Sequence, residues 1–354
     1  MRKLTLIVLA SIAVGVAAGL LISCRSRHSG SQSVRRHQST APQIVAAGDI
    51  SCLASLCAKD TANLFVGRSA RLDPARVLAL GDNQYQCGAP SKYRSHYDRT
   101  WGRKKSITWP TPGNHEYFTN TKYPSERDCA GQDTGPNAAG GYFGYFGASA
   151  NSPAQATCRG GCNGWYYHDI DANGDGRADW RLIALNTGAC GELRNDAPGC
   201  SLGSSQERWL KSVALANPPS CILAYWHHPR YTSPTTVHKD NRSSEQFWQD
   251  LYRARADVVV NAHVHTYQRS VPLKPNGGTG QEDDSNGIVE FIAGTGGAKL
   301  HSFTAKGLHD RRFAARNETD HGVLELTLHP SSYDWTFVPV SGSYSDRGSA
   351  HCHT

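Results

Sequence analysis

Five segments of this chain carry Asp, Asn or His side chains directly after short runs typical of strands. Most of the runs are apolar and rich in branched residues, as in strands buried on both faces of a sheet. In chain order, the segments end in Gly48-Asp49, Gly81-Asp82, Asn114-His115-Glu116, His227-His228 and His263-Val264-His265. Any one ending is also typical of a turn or a helix cap. Because ligands of open α/β sheets gather beyond the carboxyl ends of the strands, the joint pattern favours one shared site.

The complete set of apolar runs predicts the fold class. Strands are predicted at 44–47, 77–80, 182–185, 221–226, 258–260, 289–293, 323–328 and 333–338, and helices at 206–216 and 245–256. Loops rich in Gly, Pro, Asn and Ser separate these segments, and no internal repeat stands out. Strands this apolar must be covered on both faces, so the sequence predicts a layered α/β core.

The composition limits the class of protein. The 354 residues are 38% hydrophobic and 19% charged, which is ordinary for a globular protein with one large core or two smaller ones. The formal charge of +7 is spread thinly, apart from arginines near the N-terminus, and suits an anionic substrate. No dense basic stripe interleaved with aromatic residues occurs, so no nucleic acid partner is expected.

The N-terminal segment predicts export. Arg2 and Lys3 precede an apolar stretch over 4–22, which is the pattern of a signal peptide over 1–24. The ending Leu-Ile-Ser-Cys24 resembles the lipobox of bacterial lipoproteins, which implies a lipid anchor on Cys24 at the outer face of the membrane. A plain secretory signal, or a single membrane helix with an incidental cysteine, is the alternative. Residues 25–43 are polar and predict a flexible tether, which leaves 44–354 as the folded domain.

The other ten cysteines predict disulfides. An even number of cysteines in an exported chain indicates oxidative pairing outside the cytosol. Short spacings favour the pairs Cys52–Cys57, Cys158–Cys162 and Cys190–Cys200, although spacing alone does not fix the connectivity. A zinc cluster at the second pair is disfavoured, because no further close pair of suitable spacing follows it.

A separate acidic loop carries a pattern found in Ca²⁺-binding loops. Asp171, Asn173, Asp175 and Asp179 supply acidic or amide oxygens, with Gly176 among them, but Leu182 stands where such loops have a bidentate Glu. The flanking segments predict the two strands of a hairpin. Two interpretations therefore stand, a structural Ca²⁺ site and a polar hairpin loop.

The order of the site motifs resembles that of the calcineurin-like metallophosphoesterases, and specifically their purple acid phosphatase branch. The series G-D, G-D-x-x-Y, G-N-H-E, H and H-x-H runs from residue 48 to residue 265. Similarity to exported bacterial members continues through W-H-H-P-R-Y, F-I-A-G-T-G-G-A and Y-D-W-T-F-V-P-V. The resemblance implies a four-layer α/β/β/α sandwich of two mixed sheets, with a dinuclear metal site at one edge.

The resemblance also implies a ligand set. The first metal would be held by Asp49, Asp82, Tyr85 and His265, and the second by Asp82, Asn114, His227 and His263, so that Asp82 bridges them. His227 is favoured over His228 because the family's ligand histidine lies two residues before Pro. The triplet Asp49-Ile50-Ser51 lacks the histidine of the wider superfamily, and the family's tyrosine, matched by Tyr85, replaces it. The alternative for Tyr85 is a packing aromatic at a loop edge.

These ligands imply the metals and the chemistry. A phenolate favours Fe(III), and the second metal would be Zn, Mn or Fe(II). Two cations roughly 3.5–4 Å apart clamp substrate oxygens and lower the pKa of a bound water, so that a metal-activated hydroxide hydrolyses phosphate monoesters.

Two histidines are candidates for catalytic contacts with the ester. His115 is expected to contact the phosphoryl group or to protonate the leaving alcohol, with support of its loop as the alternative. His238, in the loop T-S-P-T-T-V-H-K-D, is a second candidate acid, with a solvated loop histidine as the alternative. Glu116 is expected to orient its neighbours.

Two residues depart from the pattern of the family. Ala262 replaces the family's Gly before H-x-H, and Gln268 replaces a Glu, but neither is an expected ligand.

Two rival functions stand beside the hydrolysis of phosphate monoesters. A phosphodiesterase or nucleotidase would use the same metal site. A cell-surface binding module would use the fold without the chemistry, but it would be expected to lack ligands, whereas this chain carries all of them.

Overall fold

The computed structural model describes residues 41–51, 58–118, 129, 139–150, 163–188, 190, 199–276 and 278–353. They belong to the compact unit Ser39–Thr354. The predicted export signal with Cys24, most of the tether, and the pairs Cys52–Cys57 and Cys158–Cys162 lie outside the described residues. Within the described ranges, no helix has the length and apolar character needed to cross a membrane.

The strands are short, as expected from the length of the apolar runs. In chain order they are β1 (Gln43–Ala47), β2 (Arg76–Leu80), β3 (Thr108–Thr111), β4 (Tyr166–Ile170), β5 (Trp180–Ala184), β6 (Cys221–Tyr225), β7 (Val258–Asn261), β8 (Tyr267–Ser270), β9 (Leu273–Asn276), β10 (Thr279–Glu282), β11 (Val289–Ala293), β12 (Phe313–Asn317), β13 (Gly322–His329), β14 (Ser332–Pro339) and β15 (Arg347–His351). The α-helices are α1 (Lys59–Ala62), α2 (Pro90–Lys92), α3 (Gly140–Phe146), α4 (Ser205–Trp209), α5 (Glu245–Arg253) and α6 (Ala305–Leu308). A π-helical turn, Leu210–Ala214, continues α4.

Two mixed sheets form the centre of the molecule. The first has six strands in the order β15-β14-β13-β1-β2-β3, and β1, β2 and β3 run parallel. The second has seven strands in the order β12-β8-β11-β7-β6-β5-β4, and β5, β6, β7 and β11 run parallel. Strands β9 and β10 form a separate hairpin.

Side chains alternate along the second sheet between two apolar clusters. In β6, Leu223 and Tyr225 belong to the cluster shared with the first sheet. Ile222 and Ala224, on the opposite face, belong to a cluster with Phe247 of α5 and its neighbours. Because both faces of β6 are covered, its sequence Cys-Ile-Leu-Ala-Tyr contains no charged side chain. The layering confirms the predicted α/β/β/α sandwich.

The structure confirms each predicted strand to within two residues, and both predicted helices. It also adds strands that the sequence pattern did not predict. β3 has the sequence Thr-Trp-Pro-Thr and β8 the sequence Tyr-Gln-Arg-Ser, so neither contains a branched apolar run. These strands form because partners in the sheets satisfy their backbones, which is information that a local pattern does not contain.

Three disulfides join described residues. The predicted pair Cys190–Cys200 is confirmed. Cys87–Cys129 and Cys221–Cys352 were not predicted, because their sequence separations of 42 and 131 residues carry no local signal. The second of these links β6 to the residue that follows β15.

The carboxyl ends of the parallel strands from both sheets meet at one edge. The Gly48 backbone, just after β1, donates a 2.9 Å hydrogen bond to Ala293 O at the end of β11. The Gly296 N–H donates in turn to Gly48 O, also at 2.9 Å. The loops after β1, β2, β3, β6 and β7 therefore deliver their side chains to the same edge.

Candidate metal centre

The five segments singled out in the sequence come together at this edge. Asp49 follows β1, Asp82 follows β2, Asn114 follows β3, His227 follows β6 and His263 follows β7. One ligand atom from each of Asp49, Asp82 and His227 lies within 4.8 Å of the others. All three side chains are buried. Carboxylates buried this closely repel each other, so the site requires positive charge.

Three of these residues have a backbone conformation that side chains disfavour. The φ angles of Asp49, Asp82 and His263 are 56°, 48° and 66°, in the left-handed region. Such conformations cost about 1–3 kcal/mol each and cluster at functional sites. Ala262 is not among the residues with positive φ, so its methyl group is accommodated where the family has Gly.

A first group of ligand atoms centres on Tyr85. The Tyr85 hydroxyl donates to Asp49 Oδ1 at 2.7 Å and lies 3.1 Å from His265 Nε2. His265 Nε2 lies 3.2 Å from the same Asp49 oxygen. A phenol oxygen, a carboxylate oxygen and an imidazole nitrogen thus converge on one point, as the ligands of a single cation do.

A second group centres on Asp82. Asp82 Oδ2 lies 3.3 Å from His227 Nε2, and His227 Nε2 lies 3.2 Å from His263 Nδ1. Asn114 is nearly buried, and its Oδ1 has no hydrogen-bond partner among the described residues. A buried amide oxygen without a donor is costly, and a cation would satisfy it.

Hydrogen bonds behind two of the imidazoles fix the ring atoms that face the site. His265 Nδ1 lies 2.7 Å from Lys299 O, and His227 Nδ1 lies 2.8 Å from Leu80 O. A carbonyl only accepts, so each Nδ1 carries a proton, and Nε2 is the ring nitrogen that faces the carboxylates. Metal-binding histidines are typically oriented in this way.

The ionisation of the groups follows from this geometry. Burial raises the pKa of Asp49, but His265 and His227 outweigh it and hold that pKa below its ordinary value. Burial likewise opposes ionisation of Asp82, and His227 and His115 again lower its pKa. Burial lowers the pKa of His227, yet Asp82 raises it to about 9. The raised pKa of His227 thus lets that imidazole supply part of the positive charge that the carboxylates require.

The pKa of Tyr85 is shifted in the direction that disfavours ionisation, unlike the pKa values of the two aspartates. Burial, followed by the Asp49 and Asp82 carboxylates, raises the pKa of the Tyr85 phenol well above its ordinary value. Its proton is held by Asp49, so a cation binding here must displace that proton. The set of carboxylate, phenol, amide and imidazole donors, without thiolate, fits Fe, Mn or Zn.

His115 lies against both groups. Its backbone N–H donates to Asp82 Oδ1 at 2.9 Å, and its Nδ1 lies 2.6 Å from Gln86 O. Its ring packs against the Tyr85 ring at a centroid distance of 4.2 Å. Burial lowers the pKa of His115. These contacts tie the His115 loop to the segment after β2, and His115 Nε2 lies 3.8 Å from Asp82 Oδ2.

Glu116 organises the loops around the site. Its buried carboxylate accepts hydrogen bonds from the backbone N–H groups of residues 82, 83, 84 and 113, and from the Tyr93 hydroxyl. Burial, reinforced by Asp82, raises the pKa of Glu116 to about 7. The side chain orients its neighbours, as expected from the sequence.

His238 and His228 both lie beside the centre. The His238 ring is 4.3 Å from the His263 ring, and Thr235 Oγ1 accepts from the His238 backbone N–H at 2.9 Å. Burial lowers the pKa of His238. His228 is bonded to Thr187 Oγ1, and its nitrogen lies within 4.8 Å of those of His227 and His263.

His301 belongs to the centre and was not predicted. Its ring stacks on the His265 ring at 4.1 Å, with 9° between the planes. It follows the F-I-A-G-T-G-G-A segment by three residues, and this proximity to a segment of the resemblance is the one signal that could have identified it.

The acidic loop lies between β4 and β5, which pair as the predicted antiparallel hairpin. The Asp171 carboxylate accepts from the backbone N–H groups of residues 173 to 176, and Asp179 Oδ2 accepts from Ala172 N at 2.7 Å. Asp175 accepts from Arg177 N at 2.8 Å. Both the Ca²⁺ interpretation and the polar-loop interpretation fit this arrangement.

Comparison with known protein families and sequences identifies similar proteins. The model of the calcineurin-like phosphoesterase family matches residues 42–267. Purple acid phosphatase 15 of Arabidopsis thaliana is 32% identical over 98 residues, which are 27% of this chain and 18% of that protein. A nucleotide pyrophosphatase/phosphodiesterase of Hordeum vulgare is 24% identical over 273 residues, 71% of this chain and 64% of that protein. The chain thus spans less than two thirds of the length of these curated relatives.

Two solved structures share the fold. The purple acid phosphatase PPD1 from yellow lupin seeds superimposes with a TM-score of 0.60 at 16% identity, covering 89% of this chain and 54% of that one. GAP50, described as the anchor in the inner membrane complex of Plasmodium, superimposes with a TM-score of 0.57 at 12% identity, covering 87% and 88%.

Proposed function

Because the chain belongs to the calcineurin-like phosphoesterase family, we propose that it hydrolyses phosphate monoesters at a dinuclear metal centre of the purple acid phosphatase type. Its class is that of a metal-dependent hydrolase of phosphoric esters. The observation that carries the narrower proposal is the Tyr85 hydroxyl, which lies 2.7 Å from Asp49 Oδ1 and 3.1 Å from His265 Nε2. A tyrosine among the ligand atoms favours a trivalent iron in one position.

The proposed ligands divide into two sets that share Asp82. Asp49, Asp82, Tyr85 and His265 would hold the first metal, and Asp82, Asn114, His227 and His263 the second. The distances within each group and the unpaired Asn114 Oδ1 support this division. The first metal is proposed as Fe(III), and the second as Zn, Mn or Fe(II).

The proposed chemistry divides between the metals and the histidines around them. Two cations held here would supply Lewis-acid activation and neutralise phosphoryl charge. His115 lies beside Asp82 and is proposed to contact the phosphoryl group. His238 is proposed to deliver a proton toward the leaving oxygen, because its loop holds it 4.3 Å, ring to ring, from His263.

The proposed location is outside the cytoplasm. Three disulfides among the described residues are typical of an oxidising compartment. We therefore keep the proposals of an export signal over 1–24 and of a lipid anchor on Cys24. A structural Ca²⁺ in the Asp171–Asp179 loop also remains a proposal.

One observation favours a second candidate function. The Hordeum vulgare relative, whose match covers 71% of this chain, is named a nucleotide pyrophosphatase/phosphodiesterase. The same metal centre would then act on diesters or nucleotides.

Parallel assays separate the candidates. Protein loaded with Fe and Zn or Mn is assayed for release of phosphate from p-nitrophenyl phosphate and from ATP. Hydrolysis of bis(p-nitrophenyl) phosphate is followed by the release of nitrophenol. We expect the monoester to be the preferred substrate, and Asp82→Asn to reduce the rate by on the order of 100-fold or more. Preference for the diester or ATP favours the second candidate. No turnover of any ester, together with tight binding of a surface partner, favours a binding module.

A further inference from the structure

The segment 299–301 holds the ligand candidate His265 from several sides. Lys299 O accepts from His265 Nδ1 at 2.7 Å, and the His301 backbone N–H donates to His265 O at 2.9 Å. The His265 backbone N–H donates to His301 Nδ1 at 3.2 Å. The two imidazole rings stack face to face at 4.1 Å. His301 is therefore fixed in position and in ring orientation.

The hydrogen bond from the His265 backbone also fixes the tautomer of His301. A backbone N–H is always a donor, so Nδ1 of His301 accepts and carries no proton. The proton of the neutral ring is then on Nε2, which becomes a donor. Within the described part of the chain, no hydrogen bond engages Nε2, although the side chain is partly buried. This partly exposed N–H is therefore open to an acceptor from outside the protein, either water or a bound ligand.

The surroundings indicate which acceptor this is. The His301 ring lies 5.0 Å from the His238 ring, which itself lies 4.3 Å from His263. Together His238, His263, His265 and His301 form a continuous wall of imidazoles, which we call the histidine wall. The wall borders the Asp49 side of the centre through His265. A phosphoryl group bound at the metals would present its oxygens, which are acceptors, beside it.

We propose that His301 is a substrate-binding residue whose Nε2–H donates a hydrogen bond to a phosphoryl oxygen of the ester, and to the inorganic phosphate that is released. The proposal rests on the proposed function and adds a residue to it. The rival role for His301 is purely structural, in which it only holds His265.

Two variants separate these roles, because one keeps a polar atom at the position of Nδ1 and the other keeps one at the position of Nε2. The amide oxygen of His301→Asn can take the place of Nδ1, which keeps the bond from His265 and removes the distal donor. The amide nitrogen of His301→Gln can take the place of Nε2, which keeps the distal donor and loses the bond from His265. The exposed His309→Gln is the control for the substitution itself.

The main measurement is the binding of inorganic phosphate to metal-loaded protein by titration calorimetry, with metal content determined on the same samples. We expect His301→Asn to bind phosphate about tenfold more weakly, the effect of losing one hydrogen bond to a charged acceptor. We expect the phosphate affinity of His301→Gln to remain within about threefold of that of the wild-type protein. A tenfold change in affinity corresponds to about 1.4 kcal/mol.

Any other pattern overturns the proposal. Equal losses of phosphate affinity in both variants assign His301 the structural role. So does a loss of phosphate affinity in His301→Gln alone that is accompanied by a matching loss of bound metal. Failure of the wild-type protein to hydrolyse any ester refutes the proposed function but leaves this comparison of phosphate affinities intact, so the two failures are distinguishable.

Discussion

Tyr85 and Asp49 form a hydrogen bond between two buried side chains. The phenol donates to the carboxylate, and burial together with the nearby carboxylates raises the pKa of Tyr85. A trivalent cation at this point would replace the proton and convert two mutually bonded groups into ligands. Binding of such a cation would therefore change the protonation of Tyr85.

Tyr85→Phe tests that role. We expect the iron-loaded variant to lose the visible absorption of a phenolate bound to Fe(III), and to bind iron at least about 10-fold more weakly. The measurements are the absorption spectrum and the iron content after dialysis. Tyr231→Phe, at a buried tyrosine bonded to Thr279 O, is the matched control and should leave both unchanged. An identical spectrum in the Tyr85 variant contradicts the assignment.

Glu116→Gln tests the organisation of the loops. Five donors converge on this carboxylate, and Gln brings an NH₂ group that faces at least one of them without an acceptor. We expect the free energy of unfolding to fall by about 2–4 kcal/mol, as for buried donors left unpaired. Urea unfolding at pH 8 measures it. Tyr93→Phe, which removes a single donor, should cost less; an equal or larger loss there contradicts the argument.

Among the elements, the segments that follow β1 and β7 pack closely against each other. A Cβ on Gly48 would collide with the methyl group of Ala262, and a Cβ on Gly113 would collide with the Asp82 carboxylate. The glycines of the site motifs are therefore required by close approach of backbone to side chain. The Ala262 methyl occupies space that Gly48 leaves open.

Gly48→Ala tests the approach of β1 to β7. Overpacking against Ala262 should cost about 1–3 kcal/mol. In the Ala262→Gly background the cost should be smaller by about 1 kcal/mol, a coupling typical of residues in contact. The measurement is a double-mutant cycle by urea unfolding. Additive effects would show that the two residues do not touch.

The C-terminal segment after β15 is tied to the turn before β7. His353 Nδ1 lies 3.1 Å from Asp257 Oδ1, and the His353 backbone N–H donates to the same oxygen at 2.6 Å. The bond to Asp257 raises the pKa of His353 above its ordinary value, against the opposing effect of burial. The stabilisation by the His353–Asp257 pair is therefore complete below 6.5, the pKa of the histidine in the unfolded chain. It is lost as the pH rises through the higher pKa of His353 in the folded protein.

His353→Gln should therefore flatten part of the pH dependence of stability. Between pH 6 and 9 we expect the wild-type protein to lose up to about 1 kcal/mol that the variant does not lose, since the pair is partly solvent-screened. Chemical unfolding at each pH measures the difference. Asp257→Asn should give the same flattening; parallel curves for all three proteins contradict the linkage.

Across the molecule as a whole, the disulfide Cys221–Cys352 ties the second sheet to the chain that leaves the first. Cys221 begins β6 in the second sheet, and Cys352 follows β15 at the far edge of the first. The sequence separation is 131 residues, against 10 for Cys190–Cys200. Because cross-links stabilise mainly by restricting the unfolded chain, the longer loop should contribute more.

Paired Cys→Ser variants test this order. Removing Cys221–Cys352 should lower the free energy of unfolding by about 5 kcal/mol, and removing Cys190–Cys200 by about 3 kcal/mol, on the loop-entropy relation. Guanidinium unfolding of both double variants supplies the comparison. The reverse order would show that local strain, rather than loop length, sets the contributions.

Much of this fold was predictable because its signals are local. The apolar runs at 44–47, 77–80 and 258–260 are strands in the structure, since a strand buried on both faces must be apolar throughout. β8 and β15 were not predictable, because pairing with neighbouring strands, and not their own side chains, holds them in place.

Local sequence signals were enough to predict that Asp49, Asp82, His227 and His263 reach one site, because each follows a strand whose carboxyl end lies at the shared edge. The fold was needed to show which atoms of those side chains face one another and which residues lie behind them. His301 and the pair Cys221–Cys352 were decided in this way. An apolar run can be read from neighbours along the chain, whereas the position of a proton on an imidazole depends on whichever backbone group the fold brings to it.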